Sequence, residues 1–249
     1  MRFEAITLSL FAAALLSAVA RPAQAQALSE RVVISVSGAS VTGTSEITST
    51  VAFTANAEKG SYSYRFPVKP KPFGEVSARI RLIKNFGVSV GYTSVSANGT
   101  AEITGQIPHP FFFNQLRPIT GQASLEHTET AVHVRATLSS APGKKLQFSV
   151  SAGPTFFSVK QGLVDSVSWT DSYPYDTATF ASAATKQVSQ SATGFGAGAD
   201  VAYYFSKHLG IGASASVAKA TVSGTASDNS VVSIDVGGTS LGFGVRLRF

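Results

Sequence analysis

The sequence predicts an all-β protein, a closed antiparallel up-and-down transmembrane β-barrel of about eight strands. Three observations indicate this fold. The N-terminus has the pattern of an export signal. Apolar and small or polar residues then alternate with a period of two in eight segments. Short and long connections between these segments follow one another in turn.

The N-terminal residues predict secretion. A basic residue precedes an apolar run at 6–20, and Ala23-Gln24-Ala25 follows this run. A short apolar run before an A-x-A site is typical of a signal peptide, and this run is too short to span a bilayer. We expect residues 1–25 to be removed, with cleavage after Ala27 as the alternative, and residues 26–249 to form one β-barrel domain.

The composition narrows the class of protein. Charged residues make up 14% of the chain, and removal of the signal takes away two basic residues and one acidic residue, which lowers the formal net charge from +6 to +5. The absence of cysteine excludes disulfides and thiolate metal sites, and the four histidines lack metal-ligand spacing, so we expect no metal or cofactor. After the signal no apolar run is long enough for a membrane helix, so in a membrane this chain has to form a closed barrel.

The clearest strand is the last one. Its apolar face comprises Leu241, Phe243, Val245, Leu247 and Phe249, which alternate with glycines and arginines. Neighbouring side chains on a strand point to opposite faces, so one face is wholly apolar. The same alternation predicts seven further strands, at about 31–41, 73–83, 86–95, 128–138, from 146 onwards, 194–205 and 209–222.

The connections also follow a pattern. Short turns are predicted at 84–85, 139–145 and 206–208, and longer connections at about 42–72, 97–127, 160–193 and 223–235. Outer-membrane barrels have this layout, with short periplasmic turns and long outer loops. Ten strands are the alternative to eight, because Thr50–Ala55 and Ser61–Phe66 flank Glu58-Lys59-Gly60. These two segments form either a further hairpin or extensions of the first two strands beyond the membrane.

In this layout, and most specifically in its last strand, the chain resembles the OmpA/OmpX-like family of small bacterial outer-membrane β-barrel domains. The motifs His109-Pro110-Phe111-Phe112-Phe113 and Tyr173–Phe180 resemble features of an uncharacterised subgroup. The resemblance implies an outer-membrane location and recognition of Leu241–Phe249 by the outer-membrane assembly machinery. It implies no activity, and we expect no cell-wall-binding domain after the last strand.

The inward-facing positions collect a charged set, which we predict to form a polar network in the lumen: Glu75, Arg79, Arg81, His133, Arg135, Asp200 and Arg246. The interior of an eight-stranded barrel is just wide enough for side chains to fill, and buried charges are costly unless they pair. We therefore expect a salt-bridge network that plugs the lumen. The alternative is a gated conduit that favours anions, because cations outnumber carboxylates.

Two motifs in the second and third long connections are rich in aromatic residues. Their candidate contact residues are His109, Phe111, Phe112, Phe113, Tyr173, Tyr175 and Phe180. Contiguous exposed aromatic side chains mark interaction sites. The alternative is that the loops pack on one another and cap the barrel mouth.

The partners expected from charge are lipids. Lys59, Lys69 and Lys71 in the first long connection suit the phosphates of lipopolysaccharide, alongside general contact with outer-membrane lipids. A nucleic-acid patch would need basic and aromatic residues on one soluble face, and the sequence predicts none.

The leading functional hypothesis is a non-enzymatic structural or surface-interaction protein whose loops bind a partner that the sequence does not identify. The alternative is a narrow channel for small polar or anionic solutes. A lipid hydrolase would need its base to face lipid, whereas His133, on one face with Glu129, alternates with lipid-facing valines. We therefore predict no catalytic residues.

Overall fold

The computed structural model describes residues 31–42, 45–68, 72–140, 144–225 and 231–249. The predicted signal peptide, together with Lys69 and Lys71, lies outside the described residues. No helix in the described ranges is long and apolar enough to cross a membrane. The described chain forms ten strands: β1 (Val32–Thr42), β2 (Ser45–Ala55), β3 (Glu58–Val68), β4 (Pro72–Ile83), β5 (Phe86–Pro108), β6 (Leu116–Ser139), β7 (Leu146–Asp171), β8 (Ala178–Tyr204), β9 (Leu209–Thr225) and β10 (Val231–Arg248).

Eight of these strands close a ring. The antiparallel order is β1-β4-β5-β6-β7-β8-β9-β10, and β10 pairs again with β1. Val36 of β1, for example, lies opposite Val245 on one side and Val76 on the other. The predicted all-β, up-and-down barrel is therefore confirmed, and each of the eight predicted strands is part of the ring.

The remaining two strands form a hairpin outside the ring. β2 and β3 come between β1 and β4 in the chain, but β3 pairs with the outer part of β5, through Ser61–Arg65 and Glu102–Gln106. The alternative of a further hairpin is thus correct: the chain has ten strands, of which eight close the barrel.

The segments predicted as long outer connections are mostly strand, which differs from the expectation of long loops. Strands β5 to β8 have 23 to 27 residues, whereas about 9–11 residues cross a bilayer. β5 and β6 stay paired from Phe86 and Leu138 to Pro108 and Leu116. In the second and third of these connections, which the structure describes in full, 109–115 and 172–177 remain as loops, because hydrogen bonding within each hairpin continues beyond the membrane.

The faces of the long strands change character at one level. Below it the outward side chains are apolar and the inward ones small or polar. Above it the outward side chains are polar and the inward ones apolar. The last apolar outward residues are Tyr92, Val132, Phe156 and Phe195, and the next outward residues are Ser94, Thr130, Ser158 and Thr193. Tyr92 and Phe156 flank Val132 on adjacent strands, an aromatic edge typical of a membrane boundary.

Above that boundary the strands form a second, outer layer of structure. Pairing between β6 and β7 ends at His127 and Gln161, so the sheet β2-β3-β5-β6 separates from β7-β8 and faces it. Their shared core contains Tyr62, Tyr64, Phe66, Ile47, Val51, Ala101, Ile103, Ile107, Ile119, Leu125, Leu163, Val164 and Val167. Burial in this core raises the pKa of the Tyr64 phenol, and hydrogen bonds with Ser49 and with the backbone of Val164 lower it by a smaller amount. We call this layer the outer sandwich.

Candidate functional site

An ion pair on the inner wall of the barrel joins β8 and β10 over the strand between them, β9. Arg246 donates from Nη2 to Asp200 Oδ2 at 2.6 Å, from Nε to the same oxygen at 3.1 Å, and from Nη1 to Ser37 Oγ at 2.7 Å. Arg246 is only 2% exposed. The glycine at position 212 makes room, because a side chain there would press on the guanidinium of Arg246. This pair is part of the predicted lumen network.

His133 and Arg135 lie next to each other on the inward face of β6. Arg135 donates to His133 Nδ1 at 3.2 Å, and His133 also bonds Thr155 at 3.0 Å and Thr93 at 3.3 Å. Since arginine can only donate, Nδ1 of His133 carries no proton and the imidazole is neutral. Both side chains are buried, and His133 faces the lumen rather than lipid.

Arg79 and Glu75 complete the inner wall from β4. Arg79 donates to Ser149 Oγ at 2.6 Å, and Glu75 lies within electrostatic reach of Arg135 and Arg246. A cavity of about 80 Å³ separates these groups and is lined mainly by serines, glycines and the charged residues. Six of the seven predicted lumen residues line it; the exception is Arg81, which lies nearer the end of β4.

Arg248 closes the end of the lumen that carries the short turns. Its guanidinium lies 4.1 Å from the ring centre of Tyr204 and donates to the carbonyls of Lys207 at 2.8 Å and Lys144 at 3.2 Å. The two carbonyls belong to different turns, so Arg248 ties these turns together across the barrel. The alternation in the last strand predicts that Arg248 faces inward, but it indicates no role for this residue.

An apolar layer closes the lumen above the charged cavity. It consists of Ala131, Phe157, Val159, Ala218, Val222 and Val236, all buried. Gly237 permits the close approach of β9 and β10 at this level: its φ is +91°, and a side chain there would overlap the carbonyl of Ala218. Among the described residues, this packed layer lies between the charged cavity and the core of the outer sandwich.

Aromatic side chains gather at the far end of the outer sandwich. Phe111 of one loop packs edge-on against Tyr175 of the other, with ring centres 5.1 Å apart, and Tyr173 packs against Tyr175 at 6.1 Å. Phe113 and Tyr173 are 72% and 87% exposed. We call Phe111, Phe112, Phe113, Tyr173 and Tyr175 the aromatic crown.

A buried arginine holds the two crown loops in place. Arg117 donates to Asp171 Oδ1 at 2.6 Å, to the carbonyls of Tyr175 and Thr177, and to the carbonyl of Pro108. Arg117 is not among the residues predicted from the sequence. The only signal for it was a cation at an inward position, next to a loop, in a segment predicted to be irregular.

The other predicted contact residues lie beneath the crown. His109 is 3% exposed, and its Nδ1 accepts hydrogen bonds from the backbone of Phe111 and Phe112, each at 3.1 Å. Phe180 packs against the core of the outer sandwich. The tip of the β2–β3 hairpin supports the same region, since Glu58 Oε1 accepts from the backbone of Asn114 at 2.6 Å. His109 and Phe180 therefore shape the crown without forming its surface.

Comparison with known proteins gives a likeness of structure only. No protein-family model matches the chain, and no curated protein is significantly similar to it in sequence. It is similar to the outer membrane protein OprG from Pseudomonas aeruginosa (10% identity, 89% of this chain and 96% of that chain, TM-score 0.48). It is also similar to Neisserial surface protein A (13% identity, 89% of this chain and 99% of that chain, TM-score 0.44). A further similar structure is the outer membrane protease OmpT from Escherichia coli (9% identity, 88% of this chain and 96% of that chain, TM-score 0.42).

At these identities the likeness concerns the fold alone. The predicted closed β-barrel is confirmed by the ring of eight paired strands itself. The structure itself carries the conclusion about location: a closed antiparallel ring with an apolar outer belt, aromatic at its edge, spans a bacterial outer membrane.

Proposed function

We propose that this outer-membrane barrel is a non-enzymatic surface-interaction protein that presents the aromatic crown to a partner outside the cell. The observation that carries the proposal is the joining of two loops, by Phe111 and Tyr175, into one exposed aromatic surface. Apolar aromatic side chains exposed together are costly in water and mark binding surfaces. The sequence alternative, in which these loops only cap the barrel mouth, would bury them.

The position of the crown supports this role. From Phe156 at the membrane edge, β7 continues for 15 residues to Asp171, which is about 50 Å of strand. The outer sandwich has its own packed core, so it holds the crown away from the membrane as a preformed surface. A preformed surface loses less conformational entropy on binding than a flexible loop.

The geometry of His133 supports a non-enzymatic role. Both of its ring nitrogens are engaged, by Thr93 on one side and by Thr155 and Arg135 on the other. Glu129 lies nearer His127, whose Nε2 is 3.8 Å from its carboxylate. A general base needs access to substrate, and a buried imidazole inside the barrel has none.

The channel alternative has less support. Solute flow would need the apolar layer around Phe157 and Val159 to open and the Arg246–Asp200 pair to separate. Either change exposes buried apolar surface or buried charge. We therefore do not propose a channel as a second function, and we expect the barrel not to conduct ions.

The proposal includes two further partners, lipopolysaccharide and the outer-membrane assembly machinery. Lys219 faces outward opposite Phe195 at the outer edge of the belt, where an ammonium reaches the phosphates of lipopolysaccharide. Lys59 is exposed at the tip of the β2–β3 hairpin. The C-terminal strand keeps an exposed apolar face, formed by Leu241, Phe243 and Val245 of β10 and by Phe249 directly after it. This face suits recognition of the strand by the assembly machinery.

The crown is tested by cell-surface display. A laboratory strain displays either the wild type or one of two variants. The test variant carries three substitutions in the crown, Phe111→Ser, Phe113→Ser and Tyr173→Ser. The control carries Thr104→Ala and Gln122→Ala, whose side chains are exposed on the β5–β6 hairpin. Adhesion is measured to phosphatidylcholine bilayers, to an immobilised polysaccharide and to immobilised extracellular-matrix protein.

We expect the wild type and control to adhere to at least one surface and the triple variant to lose at least tenfold, about 1.4 kcal/mol of binding. The surface that is bound identifies the class of partner. Equal adhesion of the triple variant and the wild type, or adhesion of neither above cells without the barrel, would show that the crown is not a contact surface.

A further inference from the structure

We propose that the cavity in the barrel lumen binds one small monovalent inorganic anion such as chloride. This site is independent of the aromatic crown and lies inside the membrane-spanning ring. Its ligands are the guanidinium groups of Arg79 and Arg135 together with serine hydroxyls of the cavity wall.

The charges around the cavity do not balance. Three guanidinium groups line it, those of Arg79, Arg135 and Arg246, but among the described residues only two carboxylates do, those of Glu75 and Asp200. His133 contributes no charge, because its Nδ1 accepts a hydrogen bond from Arg135. One positive charge is therefore in excess among the groups that line the cavity inside the barrel wall. An unbalanced buried charge is strongly destabilising, so a counter-ion of charge −1 is favoured there.

Glu75 lies within electrostatic reach of Arg135, but in the described part of the chain the N–H donors of Arg135 are not engaged by a carboxylate. Arg135 is 8% exposed, and no ion pair joins it to a carboxylate among the described residues. Its one hydrogen bond to another side chain goes to the neutral His133, and its Nε has no hydrogen-bond partner in the described structure. A guanidinium carries five N–H donors, so most of the donors of Arg135 are available to an anion in the cavity.

Arg79 is placed to share the same anion. Arg79 lies opposite Ser89 on β5, and Ser89 lies opposite Arg135 on β6, so the three inward side chains form one row across adjacent strands. Arg79 donates to Ser149 Oγ, a hydroxyl that cannot neutralise its charge. Asp200, in contrast, is engaged by two nitrogens of Arg246. The excess charge therefore falls on the Arg79 and Arg135 side of the cavity.

The size and lining of the cavity set the class of anion. The volume of about 80 Å³ holds a single small ion with a few waters, since one water needs roughly 10–15 Å³ by the same measure. Serine hydroxyls at positions 35, 77 and 151 line the wall and can donate to an anion. A halide or nitrate fits these limits, whereas a six-carbon organic anion such as gluconate does not.

The test compares salts at equal ionic strength. The full-length barrel is folded in detergent micelles in sodium chloride, sodium bromide or sodium gluconate, and its Tm is followed by the heat-dependent shift in gel mobility. We expect a Tm several degrees higher in chloride and bromide than in gluconate, because an ion that binds only the folded state stabilises it. Bromide crystals should show an anomalous peak between Arg79 and Arg135.

Variants assign the effect to this cavity. In Arg135→Gln and in Arg79→Gln the excess charge is removed, so the difference in Tm between chloride and gluconate should disappear. Arg81 does not line the cavity, so Arg81→Gln is the control. The difference in Tm between chloride and gluconate should persist in this variant. If one arginine variant fails to fold, the other variant and the bromide peak still decide the question. Equal wild-type Tm values in all three salts, a difference that survives in Arg135→Gln, or a cavity containing only water would overturn the proposal.

Discussion

The guanidinium of Arg117 lies 2.6 Å from the carboxylate of Asp171, and this contact joins the two long hairpins just beneath the aromatic crown. Arg117 is the second residue of β6, and Asp171 is the last residue of β7. The same guanidinium also binds three backbone carbonyls, those of Pro108, Tyr175 and Thr177. A single buried side chain thus fixes both loops that carry the exposed aromatic residues.

Replacing Arg117 should loosen the crown while leaving the barrel folded. Arg117→Gln leaves Asp171 and several carbonyls without their partner, which we expect to destabilise the outer sandwich by about 1–3 kcal/mol. Limited chymotrypsin digestion should cut faster after Phe111, Phe112, Phe113 and Tyr175. The matched control is Arg65→Gln, which breaks the Arg65–Glu46 pair, whose side chains are 64% and 47% exposed. Exposed pairs contribute little, so the control should be digested at the wild-type rate. Equal rates for both variants would contradict the clamping role.

The ion pair in the lumen should contribute strongly to the stability of the ring. Asp200→Asn leaves Arg246, 2% exposed, without its carboxylate, and removal of one partner of a buried pair costs about 3–5 kcal/mol. The urea midpoint of the barrel in micelles should fall accordingly. The double variant Asp200→Asn, Arg246→Met should lose less than the two single variants added together. Additive losses would show that the two side chains act independently.

The outer sandwich should unfold separately from the ring. A side chain at Gly121 would overlap the ring of Phe180, so Gly121→Val should open the sandwich core. We expect chymotrypsin to remove the outer segments while the heat-dependent gel shift of the ring persists. Gly74→Ala is the control, because nothing lies within 4 Å of the added carbon. Loss of the gel shift in Gly121→Val would show that the two layers fold as one unit.

Two adjacent phenylalanines on β7 test which face is enclosed. Phe157 is 3% exposed inside the barrel, and Phe156 is 46% exposed on the membrane face. Phe157→Ala should lower stability by about 3–5 kcal/mol through loss of packing, whereas Phe156→Ala should cost much less, since lipid fills the space. Urea unfolding in lipid vesicles measures both. A larger loss for Phe156→Ala would reverse the assignment of inside and outside.

The wild type should not conduct ions. The apolar layer that includes Phe157, Val159 and Val222 covers the charged cavity, so we expect planar bilayers containing the protein to show no discrete current steps. A porin of known conductance in the same bilayer serves as the positive control. Reproducible steps from the wild-type barrel would favour the channel alternative.

The sequence predicted more of the barrel than of the site. Alternation identified the inward residues correctly, because period-two patterning is a local property of a strand. It thus placed Arg246 and Asp200 on the inner wall, although they stand 46 positions apart. Their pairing was beyond its reach, because β8 and β10 are brought together by β9. Arg117 was missed for a related reason: its four partners lie on segments whose contacts form only after both hairpins have folded.

The sequence by itself determined the strands of the barrel and their apolar faces, since both follow from the order of apolar and polar residues along a short segment, but it left eight and ten strands open. Only the tertiary structure decided that the chain beyond the membrane continues as paired strands and that β3 joins β5. It also decided that the aromatic loops meet at one tip. The physical reason is that alternation looks the same whether the apolar face meets lipid or a protein core. Beyond Tyr92 and Phe156 the two faces exchange roles, and only the pairing of distant strands reveals which face is enclosed.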